Sequence, residues 1–148
     1  MANQATFDDA NLILRLYELR REELMRKARQ WFFGFAVDNP EQVEKVSAMG
    51  SQENAYLRMV MSYWDMAASF VTSGVLNEDL FLQNNGELLF VWEKSRGLVE
   101  NARSRMNNPT YMKNLETVAQ TAIKRMGPEA YARMSSMVRG ASAAAQQS

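Results

Sequence analysis

At 148 residues, with 47% hydrophobic and 23% charged positions, the chain has the length of one domain and the composition of a folded globular protein, which excludes disorder over its bulk. Its 17 basic and 17 acidic residues cancel, so nucleic acid is not an expected partner. Cysteine and histidine are both absent. Disulfides, thiolate nucleophiles, the commonest general base and the commonest transition-metal ligands are thereby excluded.

The opening segment, Met1 to Asp9, has no basic n-region and no apolar h-region. No secretory leader is expected, and a cytoplasmic location is. A first helix is expected to open at Thr6, with Asp9 three residues on as a capping-box partner, and to run to about Phe35. Its clearest apolar seam is Phe7, Ala10, Leu14, Tyr17, Arg21, Leu24, Ala28, Trp31 and Phe35, spaced by threes and fours. That heptad-like row suits pairing with another helix. Glu22 with Arg26 and Glu23 with Lys27 are acid-first pairs on a solvated face. Trp31-Phe32-Phe33 makes a bulky aromatic plug near the end.

Asn39-Pro40 reads as an N-cap and first helical residue, opening a short helix that turns Val43, Val46 and Met49 inward and stops at Gly50. Ser51 is expected to cap the central helix, with Gly74 as its stop. From Tyr56 to Thr72 that helix is apolar except for one polar line: Arg58, Ser62, Asp65, Ser69 and Thr72, at steps of 4, 3, 4 and 3. A helix so apolar around most of its circumference must be surrounded by other helices. Arg58 and Asp65 each cost about 2.5–3.5 kcal/mol at a helix centre in lipid, so no membrane insertion is expected.

Asn77, followed by Glu78 and Asp79, marks a short helix carrying Leu80, Phe81 and Leu82 that breaks at Asn85-Gly86. The next helix, about Glu87 to Met106, is expected to bury Leu88, Val91, Trp92, Leu98, Val99, Ala102 and Met106. Gly97 interrupts it, either because a neighbouring helix comes close or because a glycine is simply tolerated there. Asn108-Pro109 repeats the cap-and-proline signal ahead of an amphipathic helix with Tyr111, Met112, Leu115, Val118, Ala119, Ala122, Ile123 and Met126. Gly127-Pro128 ends it and starts the last helix. Beyond Gly140 nothing is left to bury, so 140–148 is expected to be a flexible tail on a domain spanning 1–139. With no strand-like alternation, the fold class is all-α: one helical bundle of about five main helices plus short connectors.

Charge is uneven along the chain. Residues 1–93 hold 8 basic and 14 acidic groups, and residues 94–148 hold 9 and 3, so the halves carry −6 and +6. They can attract each other within one chain or between two, or face solvent separately. The C-terminal basic set lacks interleaved aromatics on its polar side, which leaves base stacking without support. Arg21 is the sharpest local anomaly, since it occupies a seam position between Tyr17 and Leu24. It reaches either for solvent and Glu18 or for an anion or a partner's carboxylate. Adjacent acids at Glu22-Glu23 and Glu78-Asp79 diverge on a helix. Without histidine no di-iron Glu-x-x-His arrangement exists, and no phosphate loop or nucleophile elbow is present. No enzyme activity, cofactor or metal site is expected. The 11 methionines read as core filler.

The segments Leu16-Tyr17-Glu18-Leu19-Arg20-Arg21, Ala28-Arg29-Gln30-Trp31-Phe32-Phe33 and Gly74-Val75-Leu76-Asn77-Glu78-Asp79-Leu80, together with Trp92-Glu93 and Arg103, resemble a bacterial family of small helical proteins with no assigned function. The resemblance covers residues 12–120 or so and implies a helical fold without an activity. Some relatives look tethered to a membrane by an N-terminal segment, which this chain is expected to lack. Where that family usually carries an acidic residue after the Gly-aliphatic-aliphatic turn, this chain has Asn77. Two functions follow as expectations. The first is a non-enzymatic module that binds a protein partner or itself as a homo-oligomer, with Arg21 in the contact. The second is a small-ligand sensor with an apolar cavity among Trp31, Tyr63, Trp64, Phe70 and Trp92.

Overall fold

The computed structural model describes residues 4–147, with side chains over 4–140. Among these residues the chain forms eight helices and no strand: α1 (Phe7–Arg20), α2 (Glu23–Gly34), α3 (Pro40–Ser47), α4 (Gln52–Thr72), α5 (Glu78–Asn84), α6 (Glu87–Met106), α7 (Lys113–Met126) and α8 (Pro128–Gln147). The all-α expectation holds. The expected tail, 140–148, falls largely on residues whose side chains lie outside the described set, and the backbone of α8 continues as helix to Gln147.

Several boundaries form where a local cap dictates them. Thr6 and Asp9 make a reciprocal capping box at α1. Asn39 caps α3 with Pro40 in its first turn, Ser51 caps α4 and Asn77 caps α5, each through its side-chain oxygen. Gly74 adopts φ +83° just past α4, a left-handed conformation that costs glycine little.

The first long helix is in fact two. The backbone breaks at Arg21-Glu22, and the Glu22 carboxylate turns back to accept from the N–H groups of Leu24 and Met25 as the cap of α2. Three distant contacts hold the break. Arg29 forks onto Glu87 of α6 through Nε (2.9 Å) and Nη2 (2.7 Å), and its Nη1 donates to the Arg20 carbonyl at 3.3 Å. The Tyr63 hydroxyl of α4 donates to the Leu16 carbonyl at 2.6 Å. The Arg20 carbonyl, left open at the end of α1, thus gains a partner from α2, and Tyr63 adds a second donor to a carbonyl one turn earlier.

The start of α7 differs as well. Asn108-Pro109 builds a turn in which the Asn108 side chain accepts from Thr110, and the helix begins only at Lys113. Met112 sits there at φ 57° with no side-chain cap of its own. The missing cap comes from α4, where Asp65 Oδ1 accepts from the Leu115 N–H at 3.0 Å. Two turns on, Thr72 donates to Asn114. The polar line of α4 therefore serves α7 at these points and does not simply face water.

α4 is the axis of the core and packs on α2, α3, α6 and α7, while α8 lies across α2, α6 and α7. Trp64 is fully buried beside Phe32, Phe81, Leu88, Leu115 and Val118 within one continuous apolar cluster. Gly97 is exposed on α6, and a methyl group there would meet open space, so no neighbouring helix requires the glycine.

Two stability changes are expected. Gly97→Ala should raise the unfolding free energy by about 0.5–1 kcal/mol, read as a higher urea midpoint at unchanged slope. Arg29→Met should lower it by about 2–3 kcal/mol, because Glu87 is left mostly buried without its partner.

Candidate functional site

The outer face of α1 is a part of the surface that packing leaves unexplained. Leu16 is buried and Leu12 and Ile13 are half-buried, so they form the inner face of α1. Phe7, Ala10, Leu14, Tyr17 and Arg21 then fall on the opposite side of a 3.6-residue helix. Phe7 is 80% exposed and Leu14 58%, with Tyr17 and, beyond the break, Leu24 also open to solvent. The seam expected from spacing to pair with another helix does so in its second half, where Ala28 and Phe35 are buried. Its first half lies open to solvent among the described residues. The break at Arg21-Glu22 causes this, since it lets α1 roll its weaker apolar row inward and its stronger one outward.

Arg21 is exposed at the end of this row. Its Nη1 lies 3.4 Å from the Tyr17 hydroxyl and its guanidinium stands 5.3 Å from the Tyr17 ring centroid. The five aromatic residues expected around a cavity are distributed through the core instead, with Phe70 half-buried on α4. Trp31 stacks on Phe35 at 5.1 Å and tilts against Tyr56 at 6.0 Å. Tyr63 and Trp64 meet edge to face at 4.9 Å, with the Arg20 guanidinium 5.4 Å from the Trp64 ring. The Trp64 indole N–H is buried and finds no acceptor among the described residues. Burial pushes the Tyr63 phenol up to about 12, which suits its role as a fixed donor to Leu16. Trp92 is buried on α6 within the same apolar cluster. These residues pack the interior and do not converge on a shared void lined by all of them.

The buried charges of α6 were not foreseen from the sequence. Glu93, with a side chain 2% exposed, accepts from the Tyr131 and Ser135 hydroxyls at 2.7 Å each and has Arg96 Nη2 at 3.4 Å. Arg139 donates to Ser135 behind it. This network joins α6 to α8 and places Tyr131 and Ser135 as its clasps. Burial, followed by the bond to Glu93, raises the Tyr131 phenol.

Lys94, 6% exposed, donates to the Phe33 carbonyl at 2.9 Å and stands 5.6 Å from the Phe32 ring centroid. Burial lowers its ammonium from 10.5 to about 8. The signal that could have found both residues is the run Leu88-Leu89-Phe90-Val91-Trp92. Apolar residues on every side of the helix there mean that the next turn is enclosed too.

The acid half and the basic half meet at few points. Arg125 Nη2 reaches Glu78 at 3.1 Å and Asp79 at 2.6 Å, and Arg96 reaches Glu93. Arg103 and Lys113 both turn to Glu116 within the basic half. At the N-terminal edge, Asp9 accepts from Thr6 and from the Asn77 backbone N–H at 2.9 Å, and these bonds hold its carboxyl below the usual range. The cleft beside it, of ≈ 680 Å³, carries Asp8, Glu78 and Asp79 against Arg125. Among the described residues no three acidic side chains gather as metal coordination requires.

Lys94 should give stability a definite pH dependence. Near pH 7 the folded state carries the cost of a buried cation. Between about 8 and 10.5 the unfolded chain holds a proton that the folded chain has lost, so stability from this position rises with pH. Tyr63 acts in the opposite sense only above its ordinary value of 10.0. Lys94→Met should therefore exceed the parent in stability by about 1–3 kcal/mol near pH 7, and the gap should narrow towards pH 10 in urea titrations.

No helix among the described residues is long and apolar enough to cross a membrane. No curated protein and no solved structure matches the chain. A family model described as a domain of unknown function (DUF4760) matches residues 5–122, a span that begins two residues before α1, ends within α7 and stops short of α8. That span contains the segments around Leu16, Ala28, Gly74 and Trp92 that carry the resemblance to an uncharacterised helical family, and the chain belongs to this family, DUF4760.

Proposed function

We propose that the chain is a non-enzymatic, cytoplasmic self-association module whose contact surface is the outer face of α1. The observation that carries this reading is the row Phe7, Leu14 and Tyr17, which is apolar, regularly spaced and turned away from the protein's own core. Single exposed apolar residues are ordinary on a protein surface, whereas a helix-long row of them marks a contact site.

The charges on α1 favour a second copy in antiparallel orientation. Asp8 stands in the first turn, and Arg20 and Arg21 stand at the far end. A two-fold axis at Leu14 brings Phe7 of one copy to Arg21 of the other, seven residues to either side, and sets Asp8 near the opposing arginine end. Leu14 then packs on its own symmetry mate. A helix of 14 residues is about 21 Å long, which supports a small interface and micromolar affinity at best. Glu93, Tyr131 and Ser135 are hydrogen-bonded to one another and hold α6 to α8.

Sedimentation velocity across about 5–500 μM should show a monomer growing into a dimer. Leu14→Asp should remain monomeric throughout, with an unfolding free energy within about 0.5 kcal/mol of the parent, since Leu14 is mostly exposed. A parent protein that stays monomeric at the top of that range would overturn the proposal.

A further inference from the structure

Lys94 is a buried cation with hydrogen-bonding capacity to spare. An ammonium has three donors, and this one spends a single N–H on the Phe33 carbonyl. The Phe32 ring supplies only its π face. None of the ion pairs among the described residues involves Lys94. The flanking acids of α6 are already engaged: Glu87 by the Arg29 fork, and Glu93 by Tyr131, Ser135 and Arg96.

Lys94 also lines an open cleft of ≈ 560 Å³ between α2, α6 and α8, whose other walls are Phe33, Phe90, Met137 and Val138 with Gly86 and Glu87. Phe33, Phe90 and Met137 keep substantial exposure there. The volume lies within the roughly 300–1,000 Å³ of small-molecule sites. Mostly apolar walls around one cation, with the Glu87 carboxylate neutralised by Arg29, make a site of defined chemistry.

We infer that this cleft binds a monocarboxylate amphiphile of the fatty-acid class, its alkyl chain along Phe33, Phe90 and Met137 and its carboxylate on Lys94. The carboxylate accepts the unspent ammonium donors and supplies the counter-charge that the fold withholds. One negative charge matches one lysine, and the apolar walls offer a more highly charged headgroup nothing further. An extended peptide would need backbone partners that these walls do not provide. Titration of Lys94 at about 8 leaves it mostly protonated near neutrality, so the cation is available. The site is separate from the α1 face, and its α8 wall lies beyond the segment matched to the family.

Isothermal titration of the full chain with decanoate, near pH 7 and below its micellar concentration, tests the assignment. Decanoate should bind one to one, and decanol, which has the same chain and no charge, should bind at least about tenfold more weakly. Lys94→Met should bring decanoate down to the level of decanol, and Phe90→Asp at the cleft rim should abolish binding of both. Equal affinity of the parent for decanoate and decanol would overturn the inference without reliance on any variant. So would undiminished decanoate binding by folded Lys94→Met, or no decanoate binding by the parent.

Discussion

Arg29 ties three segments together. Its guanidinium grips both oxygens of Glu87 at the start of α6 and also satisfies the Arg20 carbonyl at the end of α1. A planar fork is needed for this, because one group must meet a carboxylate edge-on while a further N–H points elsewhere. Without the clasp, the carbonyls at the end of α1 would recover partners most simply by continuing the helix through Arg21 and Glu22. The break, the outward roll of α1 and the seating of the α6 N-terminus all follow from it. Tyr63 completes the arrangement by donating to Leu16 one turn earlier.

Around that clasp the core is organised by α4. Its apolar circumference carries Val60, Met61, Trp64, Ala67 and Ala68 into the centre, and its polar line repairs what neighbouring helices lack. Asp65 is the clearest case. A carboxylate at the N-terminus of α7 meets unpaired N–H groups and the positive end of the helix dipole, so its charge has a structural use. Glu93 is likewise absorbed into the packing of α6 on α8. Both carboxylates are committed to holding helices together.

Two places that the packing does not use differ in character. One is the outer row of α1, apolar and long, matched to another helix. The other is the cleft at Lys94, apolar and concave with a single cation, matched to a small amphiphile. They lie on different elements and make independent demands on a partner. A chain that associates through a surface helix and also binds a small molecule beside α8 would combine both functions first considered from the sequence. The proposed ligand site, however, is built from Phe33, Phe90, Lys94 and Met137 and not from the central aromatics.

The amino-acid sequence alone determined the features whose cause lies within a turn or so of chain. The capping box at Thr6 and Asp9, the caps at Asn39, Ser51 and Asn77, the left-handed glycine at 74 and the all-helical class are of this kind. Tertiary structure decided whatever depends on residues distant in the chain. The split at Arg21 needs Arg29 to meet a carboxylate 58 positions on, and the start of α7 needs Asp65, 50 positions back. Spacing identified the Phe7-Leu14-Tyr17 row as a packing surface but could not say which side of α1 would turn inward. Periodicity records only that one face of a helix is apolar, whereas the choice between two such faces is made by the neighbours available to bury them. For the same reason the enclosure of Lys94 was hidden, since its walls come from α2, α6 and α8 and exist only once those helices have met.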